Sequence, residues 1–185
     1  MNHPEHILRT LDQHLTSPIR LILYGRAALA LGYPDPPSEF HSTMDVDAIL
    51  PEIEMTAIEA DDSFWNAIEM TNRDLDSAGL YLTHLFTDSQ VILSPGWLDQ
   101  IIPIQLPDLH ALRLFRPSTA DLILTKMMRV DPQDRSDINF LMNHHRFSEE
   151  ELEELLRNAR LPEILEIAEA FVSNSHWIRK QIMPN

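Results

Sequence analysis

The tightest constraint on the fold lies between residues 19 and 50. Residues 19–24, IRLILY, read as a short buried strand. Gly25 breaks that pattern, and RAALAL follows at once, short, alanine-rich and helical. The order is therefore strand, tight turn, helix. GYPDPPSEFHST, next, holds three prolines and no periodicity, which makes it a loop. MDVDAIL then alternates polar and apolar residues until Pro51 stops it, as a second strand does.

The rest of the chain is read by period. Residues 4–16 and 62–77 have helical spacing, the first through Ile7, Leu8, Leu11 and Leu15, the second through Phe64, Trp65, Ile68 and Leu75. LYLTHLF (80–86) and QVIL (90–93) read as strands, and IIPIQL and ALRLF as later strands that Pro103 and Pro107 interrupt. From residue 117 the chain turns helical. Ser118 with Asp121, and Ser148 with Glu151, have capping-box spacing. Asp131 before Pro132 reads as N-cap and N1, and Pro162 as N1 of a last helix ending near Lys180. The expected class is α+β: a small mixed β-sheet core with helices over residues 1–116, then a helical C-terminal segment, 117–185, packed on the core.

Length and composition bound the function. A chain of 185 residues with 44% apolar content can bury one real core. It has no cysteine, hence neither a disulfide nor a thiolate site. Its net charge of −15 repels a phosphate backbone, which argues against non-specific duplex binding. The densest acidic run, EEELEE at 149–154, reads as a solvated helix face. No apolar run reaches the roughly 18 residues of a membrane span, and the N-terminus lacks a signal-peptide plan. The expectation is a cytoplasmic protein without a membrane partner.

Asp45 and Asp47 carry the chemical question. On a strand they share a face, with Cα atoms roughly 6.6 Å apart, while Met44, Val46 and Ala48 point the other way. Two carboxylates so placed can converge on one hard cation such as Mg2+. They are equally what the solvated face of an edge strand looks like. Spacing alone leaves both readings open.

The wider pattern resembles the nucleotidyltransferase superfamily, the polymerase-beta-like fold. That family shows a strand ending in Gly-Gly or Gly-Ser, a helix, a loop and a T-x-D-x-D strand. Here LYGRAALAL is followed by STMDVDAIL, with Thr43, Asp45 and Asp47 on the motif. RPSTADLILTKMMRVDPQDRSDINFL resembles, more loosely, a helical segment of bacterial relatives that include abortive-infection and toxin–antitoxin components. The resemblance implies transfer of a nucleotidyl group from a nucleoside triphosphate to an acceptor. Asp45 and Asp47 would hold Mg2+ and be catalytic, and Gly25, Arg26 and Thr43 would line the phosphate site. Lys126 would contact phosphate or pair with Asp137, unless it is a surface lysine; Asp137 is grouped with the nucleotide-binding residues.

Two departures qualify the match. Arg26 stands where the family has a small residue, and LYLTHLF lacks the third carboxylate expected from a neighbouring strand. Asp88, at that strand's end, is the expected substitute. His84 alternates with Leu82 and Phe86, which reads first as a core position and second as a base or ligand. The departures sustain an alternative: a catalytically inactive fold serving as a binding or regulatory partner of another protein.

Overall fold

A computed structural model describes residues 2–182. The chain has the α+β architecture, with a five-stranded mixed sheet and a helical C-terminal part. It divides into two compact units: residues 2–87 with 101–116, and residues 88–100 with 117–182. Among the described residues, no helix is long and apolar enough to cross a membrane.

The first unit holds the sheet. Its strands are β1 (Ile19–Tyr24), β2 (Asp45–Leu50), β3 (Tyr81–Thr87), β4 (Ile102–Pro103) and β5 (Leu112–Arg116). Their spatial order is β3-β2-β1-β5-β4. β1 runs antiparallel to β2 and parallel to β5; β2 and β3 are parallel; β4 and β5 are antiparallel. The central position of β1 explains its composition, since Leu21, Ile22 and Leu23 are buried on both faces. Four helices belong to this unit: α1 (His3–His14), α2 (Gly25–Gly32), the short α3 (Met55–Glu59) and α4 (Asp62–Leu75). Asn2 caps α1 by accepting from the Glu5 amide, and Asp61 caps α4 by accepting from Ser63 and Phe64. α1 and α4 touch each other and the sheet, burying Ile7, Leu8 and Leu11 from one and Phe64, Ala67 and Leu75 from the other. Asn72 on α4 clamps the sheet edge: its amide donates to the Leu82 carbonyl and accepts from the Leu82 amide, at 2.9 and 2.8 Å. A strand edge that would otherwise be open is thus partly satisfied.

Asp12 ties α1 to the start of β5. Its carboxylate accepts from the backbone N–H groups of His110, Ala111 and Leu112 at 2.8, 2.9 and 2.7 Å. Burial pushes its pKa up, but these three donors outweigh burial and leave it below its ordinary value near 3.8. A depressed carboxylate stabilises the fold above its unfolded pKa, and that contribution disappears as pH falls through the folded value. Asp12→Asn is therefore expected to lose about 2 kcal/mol at neutral pH, because an amide nitrogen must face a backbone donor. Urea unfolding at a series of pH values checks this: the gap between wild type and variant should close below about pH 4.

The second unit contains α5 (Thr119–Lys126), α6 (Pro132–His144), α7 (Glu149–Asn158) and α8 (Leu165–Ile182). The caps expected at Asp131 and Ser148 are present, the latter with its reciprocal Glu151 bond. Ser118 also caps α5, but Asp121 does not return the reciprocal bond to the Ser118 amide that a capping box needs. Its carboxylate takes the Ser118 hydroxyl and reaches the Ser94 amide at 2.7 Å. Asn174 of α8 donates to the Met127 and Arg129 carbonyls, at and just past the C-terminal end of α5.

Local pattern misled in three places. QVIL is no strand; its apolar side chains are buried, but only Leu93 bridges, to Arg160. IIPIQL supplies only the two residues of β4, since Pro103 cannot donate to a ladder. The last helix begins at Leu165 instead of Pro162, which lies in a turn closed by the Ile164 amide.

Candidate metal centre

The centre is built at the junction of β1, β2 and β3. Tyr24, the last residue of β1, pairs with Asp47 across the antiparallel ladder. Gly25 follows with φ +67° and opens α2 directly. Two facts make glycine necessary there. The backbone is left-handed, and a Cβ would lie 3.0 Å from Asp47 Oδ2. The missing side chain is the space the Asp47 carboxylate occupies. Gly25→Ala is accordingly expected to cost about 1–2 kcal/mol in urea unfolding and to displace that carboxylate. A substitution that leaves stability unchanged would contradict this close approach.

Asp45 and Asp47 project from the same face of β2, and Val46 and Ala48 between and beyond them are fully buried on the other. Met44 was expected beside them in the core, but it precedes the strand and is 45% exposed. The Thr43 hydroxyl donates to Asp45 Oδ1 at 2.8 Å and so orients that carboxylate. Asp47 is held by its close approach to Gly25 and by His84, whose Nδ1 lies 2.9 Å from Asp47 Oδ1.

His84, read first as a core position and second as a base or ligand, is exposed and lies at the site. The reason is a register shift. Val46 pairs with Leu82, but Ala48 pairs with Leu85, so β3 has one extra residue opposite Asp47. Thr83 and His84 fill a position that a regular strand would give to one residue. Beyond the bulge the alternation is inverted, and His84 joins the aspartate side. Asp45, Asp47 and His84 each offer a ligand atom within 4.8 Å of the other two. No other group of three or more such side chains with that convergence occurs among the described residues. Two carboxylates and an imidazole are a donor set that fits a divalent cation.

A family described as nucleotidyltransferase of unknown function (DUF6036) matches residues 5–173. The chain belongs to this family. No curated protein and no solved structure gives a significant match. Membership makes the protein nucleotidyltransferase-like, and nucleotidyltransferases work with a divalent cation and a nucleoside triphosphate.

The remaining expected site residues of this nucleotidyltransferase-family chain are placed as follows. Gly25 and Thr43 stand in contact with the aspartate pair. The Arg26 guanidinium lies over the Phe40 ring at 5.2 Å and 3.9 Å from Glu39, on the loop between α2 and β2. Asp88, the expected third acid, accepts from the Trp97 indole at 3.2 Å and faces Arg160 at 3.9 Å. The converging group contains His84 in its stead. Lys126 is not a surface lysine. It is buried in the helical unit, 2.6 Å from Asp137 and 3.2 Å from Asp134. The Asp137 side chain is fully enclosed, so it offers no surface to a nucleotide.

Proposed function

We propose that the protein transfers a nucleotidyl group from a nucleoside triphosphate to an acceptor hydroxyl, with a divalent cation, Mg2+ in the first instance, held by Asp45 and Asp47. The observation that carries this reading is the convergence of Asp45, Asp47 and His84 beside the Gly25 turn in a chain of this family. In the reaction the acceptor hydroxyl gives up its proton to solvent and its oxygen bonds to the α-phosphorus, while the bond to the pyrophosphate oxygen breaks. The cation, when bound, supplies charge neutralisation for the phosphate oxygens.

The chain's own residues do the positioning. Thr43 fixes the Asp45 carboxylate, and the close approach to Gly25 positions Asp47, so neither acid has to reorganise far when the cation arrives. The start of α2 directs its first backbone N–H groups toward the turn, where an anionic phosphate is favoured. Arg26, engaged with Phe40 and Glu39, shapes the loop bordering this turn. Asp137 and Lys126 pair with each other within the helical unit.

Incubating the protein with Mg2+ and each nucleoside triphosphate in turn, and following pyrophosphate release, tests the reading. Release is expected with at least one nucleotide and not with the Asp45→Asn, Asp47→Asn double variant. A parallel thermal melt should show a raised midpoint with Mg2+ and nucleotide, since a ligand bound only by the folded chain stabilises it. Neither release nor a melting shift at millimolar nucleotide would favour the alternative, a catalytically inactive fold that serves as a binding or regulatory partner of another protein.

A further inference from the structure

The nitrogen donor sets this centre apart from an all-carboxylate one, and three features of the fold put it there. First, the extra residue in β3 interrupts the ladder at Asp47 and nowhere else along the β2–β3 pairing. Bulges re-aim side chains, and this one turns His84 from the buried Leu82 face to the aspartates. Second, the ring is held. It stacks on Phe86 with centroids 5.4 Å apart and planes inclined by 22°, and Thr83 Oγ1 lies 3.2 Å from Nδ1. Third, the spacing suits shared coordination. Adjacent corners of an octahedron with bonds of about 2.1 Å are roughly 3 Å apart, and Nδ1 lies 2.9 Å from Asp47 Oδ1. The His84 side chain is 56% exposed, so an ion can reach it.

Mg2+ favours oxygen ligands and retains its waters, whereas imidazole suits the later first-row ions Fe2+, Ni2+, Cu2+ and Zn2+. Building on the reading of Asp45 and Asp47 as a cation site, we infer that His84 is a third protein ligand and that it gives the centre a preference for a transition ion over Mg2+. A rival role exists for the same hydrogen bond: His84 could orient Asp47 without touching the ion, as outer partners of metal ligands do. The two roles differ in whether an imidazole nitrogen is bonded to the metal, and this can be measured directly.

The experiment uses the full chain without nucleotide and Mn2+ as the probe. Electron paramagnetic resonance titration gives Mn2+ affinity, displacement of Mn2+ by Zn2+ and by Mg2+ gives the preference, and pulsed measurement of nitrogen-14 coupling reports direct ligation. Nitrogen coupling is expected in the wild type. In His84→Asp, which restores an all-oxygen set, it should vanish while Mn2+ still binds. The preference for Zn2+ over Mg2+ should then fall at least about tenfold. The Asp45→Asn, Asp47→Asn double variant should lose this Mn2+ altogether, which ties the signal to the site. Bound Mn2+ without nitrogen coupling, or an unchanged preference in His84→Asp, overturns the ligand role while the aspartate site stands. Failure of the wild type to bind Mn2+ overturns both.

Discussion

Asp47→Asn is expected to reduce nucleotidyl transfer at least about a thousandfold, equivalent to roughly 4 kcal/mol of transition-state stabilisation. Asparagine keeps the shape that fits against Gly25 but removes the charge that would hold the cation. Its amide must also present either an oxygen or a nitrogen to His84 Nδ1, where the carboxylate presents an acceptor whichever way it turns. Stability should change little, by about 1 kcal/mol or less, because the side chain is partly solvated and asparagine is nearly isosteric. Coincident thermal melts with a thousandfold gap in pyrophosphate release would place the loss in the site. Thr43→Val offers a graded comparison. It removes the hydroxyl that donates to Asp45 and leaves both acids in place, so its deficit should be far smaller. Equal activity in Asp47→Asn and wild type would remove Asp47 from the reaction.

What the sequence disclosed about this site follows the range of the interactions involved. The strand, the Gly25 turn, α2 and the two aspartates on one pleat are set by neighbours within a few residues, and each was readable. Why position 25 is glycine was only half readable. The turn required it locally, but the 3.0 Å approach to Asp47 belongs to a strand pairing that spans more than twenty residues. For His84 the base or ligand reading came second to the core reading for the same reason. Alternation assigns it to the face of Leu82 and Phe86; it stays with Phe86 but parts from Leu82, because one residue is added opposite Asp47. Nothing in LYLTHLF marks the insertion; it exists only relative to β2. A histidine in a strand that pairs with an acidic motif was the available signal. It became informative only once the register was known.

The helical unit shows the same limit and yields the largest expected effect on stability. Lys126→Met is expected to lose about 3–5 kcal/mol, the cost of stranding a buried charge when its partner is removed. Lys126 and Asp137 were foreseeable as partners on successive helices, but Asp134 and the depth of burial were not. The ammonium of Lys126 sits between two enclosed carboxylates, Asp137 at 2.6 Å and Asp134 at 3.2 Å. Arg129 also reaches Asp134, at 2.7 Å, though two thirds of its side chain is exposed. Deleting the lysine leaves Asp134 with that arginine and deprives Asp137 of the cation nearest to it. Arg129→Ala should therefore cost much less, about 1 kcal/mol, since water already screens that pair. The decisive comparison is the double variant Lys126→Met, Asp137→Leu. Replacing both members of a buried pair by apolar side chains avoids the stranded charge, so it should recover most of what Lys126→Met loses. Urea unfolding followed by circular dichroism measures all three. A loss below about 1 kcal/mol for Lys126→Met, or a double variant no better than the single one, would mean that the lysine does not neutralise a dry carboxylate.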